Sequence, residues 1–190
     1  MSRDRAIQQL RERFDREARS RPPPPPLTPR KHARIEAYRT FTRIYSQAVY
    51  SLAVADPKGV NAVFEPDMAA DDLGREARAA LAASRFIPPD HPEFHSLIRF
   101  PTEEEPGVFE ARNMAVAGVK TRAALYKGAG YVALRMTEGV IEVVALRYRG
   151  HGHWEGIRGS TPQRLPETVT DDEFGAAILA AIDRSRRASR

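Results

Sequence analysis

The feature that most constrains this 190-residue chain is a segment that occurs twice. Leu165–Arg186 reads LPETVTDDEFGAAILAAIDRSR, and Phe64–Arg85 reads FEPDMAADDLGREARAALAASR. With Gly74 set against Gly175, Asp72 falls on Glu173, Leu73 on Phe174 and Ser84-Arg85 on Ser185-Arg186; Pro66 and Pro166 agree when one residue is skipped. In the later copy Thr170 is an N-cap and Glu173 completes a capping box, which satisfies two backbone donors reciprocally. Asp171 and Asp172 meet the positive end of the helix dipole, and Arg184, Arg186 and Arg187 suit the other end. Phe174, Ile178 and Ile182, with Ala177 and Ala181 beside them, form one apolar stripe at helical spacing. The plain reading is two independent, well-capped amphipathic helices. The sharper one is a pseudo-repeat, in which a strand, a Pro-containing turn and a helix occur twice around one sheet. Two copies fall short of the three or more that a solenoid needs.

The net charge of +5 divides unevenly. Residues 1–40 carry 11 Lys/Arg against 5 Asp/Glu, residues 41–184 carry 16 against 20, and the last six residues add three Arg. The basic character belongs to the two ends, and the body is mildly acidic. Whole-chain charge suggests a nucleic-acid binder, whereas the body alone suggests a surface for a basic partner. The chain has no cysteine, which excludes disulfides, thiolate metal sites and cysteine nucleophiles and suits a reducing cytoplasm. No apolar run approaches a membrane span, and the N-terminus has no apolar signal core. These features predict a soluble, cytoplasmic protein without membrane association.

Residues 3–20 have helical composition, with Ile7, Leu10, Phe14 and Ala18 at helical spacing, and Pro22 to Pro26 form a polyproline rod. Residues 1–36 therefore read as a charged, proline-rich and flexible extension, and residues 186–190 as a basic tail. Between them, residues 37–185 read as a single α+β domain, a mixed or mainly antiparallel sheet flanked by helices. In Phe41–Ala55 the latter half, through Val49, Tyr50, Leu52 and Val54, suits a strand. A turn at Pro57-Lys58-Gly59 then makes a hairpin with a strand from Val60 to Phe64. Phe86–Pro92 is a proline-punctuated loop, Ser96–Phe100 a short strand, and Thr102–Gly107 an acidic loop. Asn113–Arg149 is the β-rich heart, in which Leu125–Gly130 is a strand end and turn. Tyr131–Met136 and Val140–Tyr148 follow as strands joined at Thr137-Glu138-Gly139, with glycine where positive φ is needed. Both faces of the second strand are largely apolar, which predicts a central strand covered on both sides. Gly150–Gly159 is a glycine-rich loop carrying His151, His153 and Trp154.

On an extended segment His151, His153 and Glu155 point the same way and could share a metal, although a glycine-rich loop need not stay extended. His91 and His95 are separated by Pro92, not by the glutamate that a zinc protease motif requires. Gly128-Ala129-Gly130 lacks the remaining parts of a dinucleotide fingerprint, and there is no phosphate-loop motif or nucleophile elbow. Helix capping explains both aspartate pairs. No catalytic residue, resident metal or cofactor is assigned. Trp154 reads as a loop anchor or as an interface anchor. The run Glu103, Glu104, Glu105 reads as a solvated loop or as a steering surface for a basic partner.

The order Leu125-Tyr126-Lys127-Gly128, a strand, Glu138-Gly139, a strand, His153-Trp154-Glu155-Gly156, Leu165-Pro166 and Asp172-Glu173-Phe174-Gly175 resembles the immunity proteins (CdiI) of bacterial contact-dependent growth inhibition. Asp71-Asp72-Leu73-Gly74 and Ser84-Arg85 fit the same pattern, so the likeness covers about residues 40–186. The resemblance implies a non-enzymatic protein that binds the C-terminal toxin domain of a CdiA effector, commonly a nuclease, and blocks it. It carries over no interface residues; from composition and position the candidates are Glu103, Glu104, Glu105, His151, His153, Trp154 and Glu155. Two other readings remain, a metal-dependent enzyme built on His151 and His153, and a nucleic-acid binder built on the arginine-rich ends.

Overall fold

The computed structural model describes residues 27–100, 102 and 104–189. The expected N-terminal helix and proline rod, and Glu103, lie outside them. Nine strands form one sheet: β1 (Lys31–Ala37), β2 (Thr42–Val49), β3 (Ala53–Ala55), β4 (Asn61–Phe64), β5 (Arg85–Phe86), β6 (Gly130–Thr137), β7 (Val140–Gly150), β8 (His153–Gly156) and β9 (Gln163–Pro166). The helices are α1 (Ala70–Ala82), α2 (Phe94–Leu97), α3 (Glu105–Ala117), α4 (Arg122–Tyr126) and α5 (Asp171–Ala188). The main path of the sheet runs β3-β2-β1-β6-β7-β8, with β4 and β5 also on β2 and β9 on β7. All pairings are antiparallel except that of β5 with β2. This is the α+β class expected, with a mainly antiparallel sheet.

Alternation decides which side of the sheet closes. Ala33, Ile35 and Ala37 of β1, Ile44 of β2, Val132 and Leu134 of β6, and Ile141, Val143 and Ala145 of β7 form one core with Leu73, Ala77 and Leu81 of α1 and Phe174, Ile178 and Ile182 of α5. Each large side chain there contributes about 2 kcal/mol by leaving water, so this layer outweighs any cap or turn. The capping box of α5 is present: Thr170 Oγ1 accepts from Glu173 N at 3.3 Å, and Glu173 Oε2 accepts from Thr170 N at 3.3 Å. The first copy is capped differently, because α1 starts after Ala69 and has no side-chain cap.

The pseudo-repeat extends further than the helix segments. Strands β1 to β4 with α1, and β6 to β9 with α5, follow one course: a hairpin, two short strands in line along the second hairpin strand, and a helix. The halves meet where β1 and β6 pair around Arg34 and Ala133. The aligned glycines mark the crossing of the two helices. A Cβ at Gly74 would overlap the Asp171 carbonyl, and one at Gly175 would overlap the Ala70 carbonyl, so each helix needs the other's missing side chain. The aligned serines do matching work. Ser84 Oγ accepts from His32 N at 2.8 Å and donates to the Gln47 carbonyl at 2.7 Å. Ser185 Oγ accepts from Tyr131 N at 2.8 Å and donates to the Leu146 carbonyl.

Several expectations are corrected. Strand β1 starts at Lys31, so residues 31–36 belong to the sheet and not to the extension, and α5 runs to Ala188 through residues read as tail. The bend after Val49 leaves β3 and β4 each paired with β2, so they do not form a hairpin with one another. The expected strand at Ser96–Phe100 is instead the helix α2 and its exit. Glu104 becomes the N-cap of α3 and Glu105 its first residue, because proline is tolerated in a first helical turn, and residues 113–117 and 122–126 are helical before β6 begins.

Candidate functional site

The positions between the core residues of β1, β2 and β6 face away from α1 and α5. On β1 these are His32, Arg34 and Glu36; across from them lie Gln47, Tyr45 and Arg43 of β2 and Arg135, Ala133 and Tyr131 of β6. Glu36 is only 4% exposed. Its carboxylate accepts from Tyr38 Oη at 2.9 Å, Tyr45 Oη at 3.2 Å and Asn113 Nδ2 at 3.4 Å. Burial pushes the Glu36 carboxyl above the usual range, against those hydrogen bonds and the Arg43 guanidinium. Arg43 is itself buried: it donates to Asn113, reaches Asn61 Oδ1 at 2.9 Å and stacks over the Phe109 ring at 4.8 Å. This network explains α3, whose buried residues are the polar Glu110 and Asn113: it packs on a polar sheet face. Glu110 accepts from Tyr126 Oη at 3.1 Å and pairs with Arg122 at 2.5 Å.

Beside this network the sheet face, α3 and the turn after β7 enclose a cleft of about 670 Å³. Its lining includes Arg34, Tyr131, Glu105, His151 and Trp154. Tyr131 holds the floor, with its hydroxyl 3.1 Å from that of Tyr45 and its ring stacked on Trp154 at 4.8 Å between centroids. Arg34 stands over the same ring at 5.6 Å and donates to Gln47 Oε1 at 3.0 Å. Next to Glu105 and Phe109, Phe100 and Val108 are 79% and 71% exposed.

Two groups of candidates that lie far apart in sequence thus meet at one cleft, Glu105 from one side and His151 with Trp154 from the other. Glu105 accepts from Arg99 at 2.6 Å and from Thr102 N at 2.9 Å, and these partners hold its carboxyl below the usual range. Glu104 is exposed at the N-cap of α3. Trp154 is half-buried on β8 among Tyr126, Tyr131 and Tyr148, which makes it an anchor within the molecule. The extended triad His151, His153, Glu155 does not form. Positive φ at Gly150, His151 and Gly152 turns the chain before β8 starts at His153. Glu155 is engaged by Arg147 at 2.8 Å and Arg149 at 3.2 Å, which hold its carboxyl low. Among the described residues no three His, Cys, Asp or Glu side chains gather as a metal site.

The residues that sequence reasoning missed are Arg34, Glu36, Tyr45 and Tyr131. A signal for the first two was present: His32, Arg34, Glu36 and Tyr38 alternate with Ala33, Ile35 and Ala37, the period of a half-buried strand. Returning residues 31–36 to the domain also shrinks its acidity. Residues 31–185 carry 19 Lys/Arg against 21 Asp/Glu, a net charge of −2. Among the described residues no helix is long and apolar enough to cross a membrane.

No curated protein matches the chain. Solved structures share its fold, among them these two. One is a protein of unknown function from Neisseria meningitidis, with a TM-score of 0.72, 24% identity and coverage of 82% of this chain and 95% of the other. The second is a CdiA-CT/CdiI toxin and immunity complex from Yersinia pseudotuberculosis, with a TM-score of 0.70, 23% identity and coverage of 83% and 98%. The sequence matches the model of the CDI immunity protein family over residues 31–185, from the first strand to near the end of the last helix. The chain belongs to the CDI immunity protein family.

Proposed function

We propose that this protein binds the C-terminal toxin domain of a cognate CdiA protein and neutralises it in the cytoplasm of the producing cell. The family match across the whole described domain carries this reading. The protein acts by stoichiometric binding and not by catalysis, and the toxin it blocks is a nuclease. The interface lies around the cleft, with Glu105 on one side, Glu104 next to it at the start of α3, and His151 on the other side; Glu103 and His153 join them as their neighbours in sequence. Trp154 braces the cleft from within, and Glu155 is held by its arginines beside it. The exposed Phe100 and Val108 supply the apolar contact that a stable interface needs near its centre.

Co-expression tests the function. The C-terminal portion of the protein encoded immediately upstream is expected to arrest growth alone, and to be harmless and to co-purify with this chain when both are made. Toxicity without rescue contradicts the proposal. Reversing Glu103, Glu104 and Glu105 to lysine is expected to slow association with a basic toxin by about tenfold. An unchanged on-rate removes that rim from the interface.

A further inference from the structure

The open half of the polar sheet face has a charge pattern of its own. His32 and Arg34 of β1 project beside Arg135 of β6, with Arg30 just ahead of the strand. Glu142, across from Arg135, is engaged by Arg164 at 2.8 Å. Glu36, two positions from Arg34, is engaged by Tyr38 and Tyr45. Neither Arg34 nor Arg135 therefore has an ion-pair partner among the described residues, and Arg34 spends its Nε–H on the neutral Gln47. The crowding of cations is felt at His32, whose imidazole is held down to about 4 by burial and then by Arg135, Arg30 and Arg34.

This cationic strip sits on a domain whose net charge is −2. A polyanion such as nucleic acid needs a long basic track and would meet repulsion beyond this strip, whereas a short acidic segment would not. Arg34 also lines the cleft above the Tyr131 ring, where partial enclosure makes an ion pair worth more than on open surface.

We infer that a carboxylate-bearing segment of the partner toxin docks on this face, with its acid groups on Arg34 and Arg135 and its adjoining side chains in the cleft beside Tyr131. The inference rests on the toxin-binding reading and adds the chemistry of the docking segment. With Glu104 and Glu105 on the opposite rim, the surface carries opposite charges at its two ends, which fixes the orientation of the partner.

The test measures the affinity of the full chain for the upstream-encoded toxin domain carrying an inactivating substitution. Arg34→Glu is expected to weaken the complex by about 100-fold, and the exposed Arg135→Glu by about tenfold with an unchanged melting temperature. Arg34→Gln separates lost attraction from added repulsion and is expected to fall between wild type and Arg34→Glu. No wild-type complex overturns the toxin-binding reading and this inference with it. A tight wild-type complex that both charge reversals leave unchanged overturns the docking surface alone. A short single-stranded RNA that binds wild type but not Arg135→Glu, with toxin affinity unchanged, also overturns it and assigns the strip to nucleic acid.

Discussion

Residues 31–82 and 130–188 trace the same path, a hairpin, two short strands and a helix, and they agree inside while they differ outside. Ala33 and Val132, Ile35 and Leu134, and Ile44 and Val143 occupy matching core positions. On the outward face Glu36 stands where the second half has Arg135, Arg43 where it has Glu142, and Tyr45 where it has Val144. Between the halves runs a segment without a counterpart, which supplies α2, α3 and α4 and covers part of the first half's polar face. Packing against the helix layer constrains both halves alike. The outward positions escape that constraint, and there a buried carboxylate network and a cationic strip are built.

The comparison predicts equal effects inside and unequal ones outside. Gly74→Ala and Gly175→Ala each drive a methyl group into the facing helix backbone, so each is expected to cost about 3 kcal/mol in urea unfolding. A large difference between them would break the equivalence of the helices. Ser84→Ala and Ser185→Ala each strand a strand N–H and a carbonyl, with an expected loss of about 2 kcal/mol apiece. Outside the core, Glu36→Ala leaves Tyr38, Tyr45 and Asn113 without their acceptor and is expected to cost about 1.5 kcal/mol. Alanine at its counterpart, the exposed Arg135, is expected to change stability by less than about 0.5 kcal/mol. Equal losses at these two positions would contradict the divergence of the outer face.

A further effect depends on pH. The folded state holds His32 neutral, with its pKa lowered from 6.5 to about 4. Its contribution is therefore complete above 6.5 and is lost as pH falls through about 4. Solvent screens this half-buried ring, so the loss on acidification is about 1 kcal/mol, and His32→Gln should flatten the stability curve in that window.

Local chemistry was legible in the sequence. The capping box of α5 is a pattern over four residues, and the hairpin at Glu138-Gly139 follows from residues that tolerate positive φ. The alignment of Gly74 with Gly175 and Ser84 with Ser185 was visible as spacing, but their purpose was not. One pair permits contact between helices and the other caps strands, and both depend on partners between 37 and 105 residues away. Strand β1 was hidden because its charged residues followed a basic, proline-rich segment, although its alternation was intact. The acidic run read as a loop because Pro106 and Gly107 normally break helices, yet they fall in the first turn of α3. The meeting of Glu105 with His151 and Trp154 is a tertiary event with no local signature.

Amide hydrogen exchange of the full chain, with and without the upstream-encoded toxin domain, tests most directly whether the divergent face is the binding face. New protection is expected in the turn at residues 150–153, in the first turns of α3 and at the edge of the cleft, with α1 and α5 unchanged. Protection concentrated on the α1–α5 layer, with the cleft unaffected, would contradict it.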